Sequence, residues 1–325
     1  MHIKDIAAWC KTKLYNFWSN PGLKAEHIYV NGEEVKDLVI PDGVKHISAY
    51  AFYDWDCLKT VTIPNSVETI GKEAFCGCDL SSLIIGSSVI SIGSVAFDTV
   101  DSVYIENLSA WCKINFSSNP LCYCNKLYIN GSEITDLIIP DDVECISKNA
   151  FIGCRILTSV TIPSSVNSIS ASAFAHCDGF STIIIPNSVN NIGAYAFEDC
   201  GNLTSVTIGN AVKTIYSQAF SGCPIKDVYM LPIEAFTCNN DIFNNSIYGN
   251  AILHVPEGSE ESYSNTAPWG NFFNIQSIPT GIENVKSEQP NVNSPVFNLN
   301  GIRMEKANGL PSGVYIKEGK KYFVK

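Results

Sequence analysis

Residues 157–177 read LTSVTIPSSVNSISASAFAHC. Leu157, Val160 and Ile162 point one way, as in a short strand with one face buried. Pro163 ends that run, because a residue without an N–H cannot donate to a ladder. Ser164 and Ser165 follow as turn formers. Val166 and Ile169 re-enter the core. Ala173-Phe174 then returns the chain, with alanine small enough for close packing and phenylalanine filling the centre. One such unit cannot bury these side chains alone, but a stack of them can.

The unit recurs. An Ala-Phe pair ends it at Phe52, Phe75, Phe97, Phe151, Phe174, Phe197 and Phe220. Twelve residues before each stands an isoleucine followed by Pro or Gly: Ile40, Ile63, Ile85, Ile139, Ile162, Ile185 and Ile208. The period is 23 residues, broken by a long gap after Phe97. A second period lies on top of the first. Ala8-Trp9-Cys10 recurs at Ala110-Trp111-Cys112, and Asn31-Gly32 and Ile40-Pro41-Asp42 recur 99 residues later. The first two hundred residues are therefore two copies of one block, differing mainly by three extra residues between Trp9 and Pro21. Asn130-Gly131 between two strand-like runs predicts a hairpin, with a twin at Asn31-Gly32. Rungs near Ile28, Ile40, Ile63, Ile85, Ile105, Ile129, Ile139, Ile162, Ile185, Ile208 and Met230 predict a sheet of roughly 50 Å at about 4.8 Å per strand.

Composition narrows the function classes. The chain has 325 residues, 46% hydrophobic and only 16% charged, which excludes a charge-rich disordered protein and a long coiled coil. Its net charge of −11 argues against sequence-independent binding to DNA or RNA. No apolar run reaches the roughly 18 residues of a membrane span. The opening residues MHIKDIAAWCKTK lack the apolar stretch and cleavage site of a secretory signal, so none is read here.

The thirteen cysteines do not imply a disulfide scaffold in a chain this long. Cys78, Cys154, Cys177, Cys200 and Cys223 each stand three residues after a repeat phenylalanine, so they form a ladder of small buried side chains. Cys76-x-Cys78 and Cys122-x-Cys124 are too closely spaced for a structural zinc site. The five histidines share no spacing with a carboxylate, and His176 reads as an exposed loop residue. No nucleophile elbow, phosphate loop, zincin or dinucleotide fingerprint occurs. The reading is non-enzymatic, with no cofactor and no metal.

The pattern I-P-x-S-V-x-x-I-G-x-x-A-F-x-x-C resembles the BspA-like leucine-rich repeats of surface proteins from Bacteroidetes and some mucosal protists. The resemblance covers about residues 1–281. It implies a leucine-rich repeat solenoid, a right-handed, β-rich β/α superhelix, and an adhesive role at the cell surface or as a secreted protein. Residues 1–223 are expected to form the array and 224–278 its irregular capping coils, with Trp269, Phe272 and Phe273 covering the last coil. Residues 279–295 read as a polar linker. Residues 296–325 alternate like short strands with turns at Asn300-Gly301 and Glu318-Gly319, and resemble the small C-terminal β module that acts as a sorting signal in some exported Bacteroidetes proteins. Residues 282–325 hold seven Lys/Arg against four Asp/Glu, which leaves −14 for residues 1–281. Met1-His2-Ile3 aligns with Val103-Tyr104-Ile105, so the sequence is expected to open inside a repeat of a longer array.

Outward strand positions supply the candidate binding surface. Most carry Ser, Thr or aliphatic residues that favour a sheet, such as Thr60, Thr62, Ser102, Ser159, Thr161 and Thr207. Tyr104, Tyr128 and Tyr229 are the exceptions, since tyrosine offers contact area with a polar tip. Tyr104 and Tyr128, on neighbouring rungs, combine with Asp136 and Ile138 into the expected recognition patch. The expected partner is a host or bacterial protein, with a glycan as the alternative ligand. A structural module inside a larger exported protein is the other alternative.

Overall fold

In the computed structural model residues 1–278 are described, apart from Lys24, Glu26 and Tyr123, together with the backbone of four strands farther on. The 23-residue unit is one coil of a solenoid. Its alternating run forms a strand of the main sheet, as at Thr60–Ile63, Leu80–Ile85, Val100–Ile105, Thr182–Ile185 and Ser205–Ile208. Neighbouring coils pair in parallel and in register, so Val61 meets Leu83 and Ile63 meets Ile85, all four buried. The proline then starts a tight turn. Val67 N–H donates to the Pro64 carbonyl at 3.1 Å, and Val166 and Val189 repeat the bond to Pro163 and Pro186 at 3.2 Å. A two-residue strand follows, such as Thr69–Ile70 or Ser168–Ile169, and these build two four-stranded sheets on the opposite wall.

The Ala-Phe corner closes the coil and links it to the next. Phe151, Phe174 and Phe197 N–H groups each donate to the alanine carbonyl one coil on, at 2.8 Å. Their rings stack along the axis at 5.3 Å (Phe151–Phe174), 5.4 Å (Phe174–Phe197) and 5.2 Å (Phe197–Phe220). A shorter stack runs through Phe52, Phe75 and Phe97. The residue two places before each phenylalanine is left-handed: Tyr50, Glu73, Val95, Asn149, Ser172, Tyr195 and Gln218 have φ between +50° and +61°. None is a glycine, so the sequence does not advertise this corner.

The hundred-residue duplication is visible in the packing. The helices Ile6–Cys10 and Leu108–Trp111 are capped alike, by Asp5 and Asn107 side chains accepting from Ala8 and Ala110 N–H. Trp9 Nε1 donates to the Ala51 carbonyl at 2.7 Å, and Trp111 Nε1 to that of Ala150 at 2.8 Å. The buried Asn20 and Asn119 pin the same corners, donating to the carbonyls of Tyr50 and Ala51, and of Asn149 and Ala150. The three extra residues of the first copy have a clear effect. The second copy forms a strand, Asn115–Phe116, with Phe116 buried. The first forms a short 3-10 turn, Phe17–Ser19, and leaves Trp18 70% exposed.

Both hairpins form. Asn130 and Gly131 take φ of +50° and +79°, and Asn31 and Gly32 take +53° and +90°, as a turn of this hand requires. The hairpins interrupt the main sheet. Ser132–Ile134 runs antiparallel to Lys126–Ile129 and ends a six-stranded segment, while Asp136–Ile138 pairs only with Ser159–Thr161.

Past residue 223 the ladder continues. Asp227–Met230, Ile252–Val255 and Asn274–Ser277 add to the strand Ser205–Ile208 in parallel register. Phe243 extends the phenylalanine stack, 5.6 Å from Phe220. Trp269 and Phe272 are buried over the end of the core, whereas Phe273, expected to cover it as well, is 88% exposed. Farther on, Val296–Asn298, Arg303–Met304, Gly313–Lys317 and Lys320–Val324 form a four-stranded antiparallel sheet. The expected linker 279–295 and the two turns at Asn300 and Glu318 lie outside the described residues.

Candidate binding face

The outward side of the main sheet carries the candidate residues. Inward residues alternate with them and are held by the core, which fixes each outward side chain within a rigid ladder. Tyr104 and Tyr128 are opposite one another in register, with ring centroids 4.3 Å apart and planes 6° from parallel. The rings shield each other, so both are half-buried rather than fully exposed. Tyr128 stands opposite Glu133 of the hairpin and donates to its carboxylate at 2.9 Å. That bond favours the protonated phenol and pushes its pKa up to about 12.

Asp136 and Ile138 lie on the next strand, beyond the hairpin. Asp136 Oδ1 accepts from Ser159 Oγ at 2.6 Å and Thr158 Oγ1 at 3.1 Å. Ile138 is 68% exposed. The antiparallel strand Ser132–Ile134 intervenes in the chain, and the strand of Asp136 and Ile138 belongs to a different sheet from that of the tyrosines, so strand pairing does not join the two halves of the expected patch. Tyr229 is remote from it, on Asp227–Met230. It is half-buried against the His254 ring at 4.3 Å, and His254 Nε2 lies 2.8 Å from Asp227 Oδ1. Burial, with Asp227 nearby, raises the Tyr229 pKa. Ser102 and Thr207, expected to face outward freely, are buried by their neighbours.

Two partners escaped the sequence. Histidines were read as lacking carboxylates, yet His254 pairs with Asp227, and His27 Nδ1 lies 2.6 Å from Glu34 Oε1. The bond to His27 lowers the Glu34 pKa. The second omission is an aromatic pair, His2 on Tyr29, with centroids 4.8 Å apart. No repeat signal marked these pairs: His2 and Tyr29, like Asp227 and His254, are 27 residues apart, four more than the 23-residue period.

The cysteine ladder is structural in its contacts. The ladder residues Cys78, Cys154, Cys177, Cys200 and Cys223 are buried thiols. Cys78, Cys177, Cys200 and Cys223 each donate S–H to the repeat phenylalanine carbonyl of the preceding coil, at 2.9–3.2 Å. Burial pushes the Cys10 and Cys112 thiols up to about 12. Among the described residues, no three His, Cys, Asp or Glu side chains cluster so as to hold a metal ion. Among them too, no helix is long and apolar enough to cross a membrane.

Residues 25–130 and 123–249 match the BspA type Leucine rich repeat region, in six copies. The chain belongs to the BspA-type leucine-rich repeat family. Solved structures of bacterial leucine-rich repeat proteins are similar to it. A leucine-rich repeat protein from Bacteroides ovatus shares 22% identity over 75% of this chain and 51% of its own, with a TM-score of 0.43. The pneumococcal vaccine antigen PcpA shares 17% identity over 75% of this chain and 79% of its own, with a TM-score of 0.46. A leucine rich cell surface protein from Faecalibacterium prausnitzii shares 18% over 76% and 88%, with a TM-score of 0.29. The BspA-type chain spans about half the length of the Bacteroides protein. No curated protein matches it.

Proposed function

We propose that the chain is a non-enzymatic protein-interaction module displayed at a bacterial cell surface or secreted, and that the outward face of its main sheet holds the partner. One observation carries this reading. Where regular coils present outward Ser, Thr or aliphatic side chains, Tyr104 and Tyr128 form a stacked pair beside Glu133. Rigid aromatic groups with polar tips lose little entropy on binding, and interfaces are enriched in them. An adhesive role is the form this binding takes, and Asp136 and Tyr229 belong to the same face.

The test is an array of extracellular-matrix proteins, bacterial surface proteins and glycans, probed with the wild-type chain and with the Tyr104→Ala/Tyr128→Ala variant. A protein signal that falls at least roughly tenfold in the variant supports the reading, since losing two interface tyrosines removes more than about 1.4 kcal/mol. Equal affinity of the variant for the same protein would sink it. Protease treatment of intact native cells tests the location: peptides of the repeats must appear in the released fraction.

A further inference from the structure

We propose that the outward face carries the same recognition patch twice, once in each hundred-residue block, and that each copy takes a cationic segment of a partner protein. This rests on the reading of that face as the binding surface. Three residues of the two patches align in sequence at an offset of 99: Tyr29 and Tyr128, Glu34 and Glu133, Asp37 and Asp136.

The geometry is shared in the strand pairing, the ring stack and the aspartate, and differs at the glutamate, which is bonded to His27 in the first copy and to Tyr128 in the second. Tyr29 stands opposite Glu34, and Tyr128 opposite Glu133, across equivalent hairpins. Each tyrosine carries a second ring stacked on it, His2 at 4.8 Å and Tyr104 at 4.3 Å. Asp37 Oδ1 accepts from Thr60 Oγ1 at 2.7 Å, as Asp136 Oδ1 accepts from Ser159 Oγ at 2.6 Å. Beside each aspartate an aliphatic side chain faces solvent, Val39 at 64% and Ile138 at 68% exposure. The core accounts for the other residues the blocks share, such as Leu38 and Leu137, which are buried, and the turn accounts for Asn-Gly. Neither demand calls for an outward tyrosine and glutamate in both copies. At the corresponding outward positions of the regular coils stand Ser159 and Thr161 or Ser205 and Thr207.

The chemistry selects a cationic protein segment. Among the described residues no Lys or Arg forms an ion pair with Asp37, Glu133 or Asp136. Asp37, Glu133 and Asp136 thus have no cationic partner among the described residues and lie beside aliphatic or aromatic side chains, whereas Glu34 of the first copy is already bonded to His27 at 2.6 Å, so the first copy offers Asp37 alone. A lysine or arginine lays its methylene stem on such a surface and its head group on the carboxylate. The net charge of −14 over residues 1–281 steers a basic partner in the same sense. A sugar needs an open ring face, and here the rings are turned onto one another. The third stack, Tyr229 on His254, lacks this vacancy, because Asp227 is already paired with His254. Counting the hairpin strand, six strand steps separate Asp37 from Asp136 along the stack, which puts equivalent residues of the two patches about 29 Å apart at about 4.8 Å per strand. A partner with two basic segments at that spacing would gain from engaging both.

The probe is a short extended peptide of alternating Arg and Thr, titrated calorimetrically into the full chain, with a Glu-for-Arg peptide as control. Two sites per chain are expected, each weakened roughly tenfold by added salt. Tyr29→Ser with Asp37→Asn leaves one site, Tyr128→Ser with Asp136→Asn leaves the other, and the combined variant leaves none. Unchanged circular dichroism shows that the variants fold. A single site abolished by either pair of substitutions overturns the duplication. Equal binding of the Glu peptide, or competition by a linear glucan oligosaccharide, overturns the partner class. If the Arg peptide does not bind while Tyr104→Ala/Tyr128→Ala still loses its protein partner on the array, the face remains the binding surface and the cationic assignment is wrong.

Discussion

Replacing Phe174 by alanine tests the axial stack on which the fold depends. The ring is fully buried, with Phe151 at 5.3 Å on one side and Phe197 at 5.4 Å on the other. Removing the side chain forfeits about 1.5–3 kcal/mol of burial. Two near-parallel ring contacts add about 0.5–1.5 kcal/mol each. The expected loss is therefore about 2.5–6 kcal/mol, which brackets the roughly 3–5 kcal/mol of core Phe→Ala changes. Phe97 is the internal control, since it ends its stack with one ring neighbour, Phe75 at 5.1 Å, and is 7% exposed. Phe97→Ala should cost about 1 kcal/mol less, one ring contact fewer. Equilibrium urea unfolding measures both. A solenoid can open piecewise, so hydrogen exchange at Phe151 and Phe174 N–H, which bridge successive coils, provides the local readout. Equal losses at the two sites would refute the stack as an energetic term. A loss below about 1 kcal/mol at Phe174 would refute the packing account as a whole.

Val95 sits in the left-handed region at φ +50°, where a β-branched residue is strained, so Val95→Asn should raise stability by about 1 kcal/mol in urea unfolding. Asn119→Ala removes a buried amide that donates to the carbonyls of Asn149 (2.8 Å) and Ala150 (2.6 Å) and accepts from Leu121 N–H (2.7 Å). It should cost about 2–3 kcal/mol, visible as a lower urea midpoint. Burial raises the thiols of Cys10 and Cys112 from 9.0 to about 12. The native state therefore holds protons that the unfolded state releases, so stability is flat below pH 9.0 and falls as pH rises from there toward about 12. A pH series of urea midpoints that rises over that window would contradict it.

Much of the fold was legible because the core repeats its demands every 23 residues. Ile63, Val67, Ile70 and Phe75 are buried wherever their equivalents recur, and Pro-x-x-Val marks a turn closed by its own hydrogen bond. Legibility ended where the demand was met by other residues. Phe243 joins the stack but follows isoleucine, not alanine, so the Ala-Phe signature passes over it. The left-handed corner is filled by Tyr, Glu, Val, Asn, Ser and Gln, and the backbone strain there is carried by inter-coil bonds such as Tyr50 N–H to the Lys72 carbonyl at 3.0 Å. The candidate face was legible in part. Strand alternation placed Tyr104 beside Tyr128, but pairs such as His254 with Asp227 arise only from stacking one coil on the next. The 23-residue period misses them, because the partner lies 27 residues on across a longer coil.

A solenoid separates the residues that fold it from those left for function more cleanly than a globular core does. Each coil buries one side of its strand and presents the other, so outward residues answer only to their neighbours on the sheet. Ser, Thr and β-branched side chains satisfy those neighbours adequately. A tyrosine with a glutamate opposite it exceeds what the ladder needs, and it occurs where the hairpin breaks the parallel sheet. There the period also fails, between Phe97 and Phe151. On the proposed reading, interruptions in the repeat, rather than the repeat itself, offer a partner something distinctive to recognise. In this chain the interruption was duplicated along with the coils around it. Tyr29, Glu34 and Asp37 recur there as Tyr128, Glu133 and Asp136, while the neighbouring Phe17–Ser19 segment differs from its twin Asn115–Phe116.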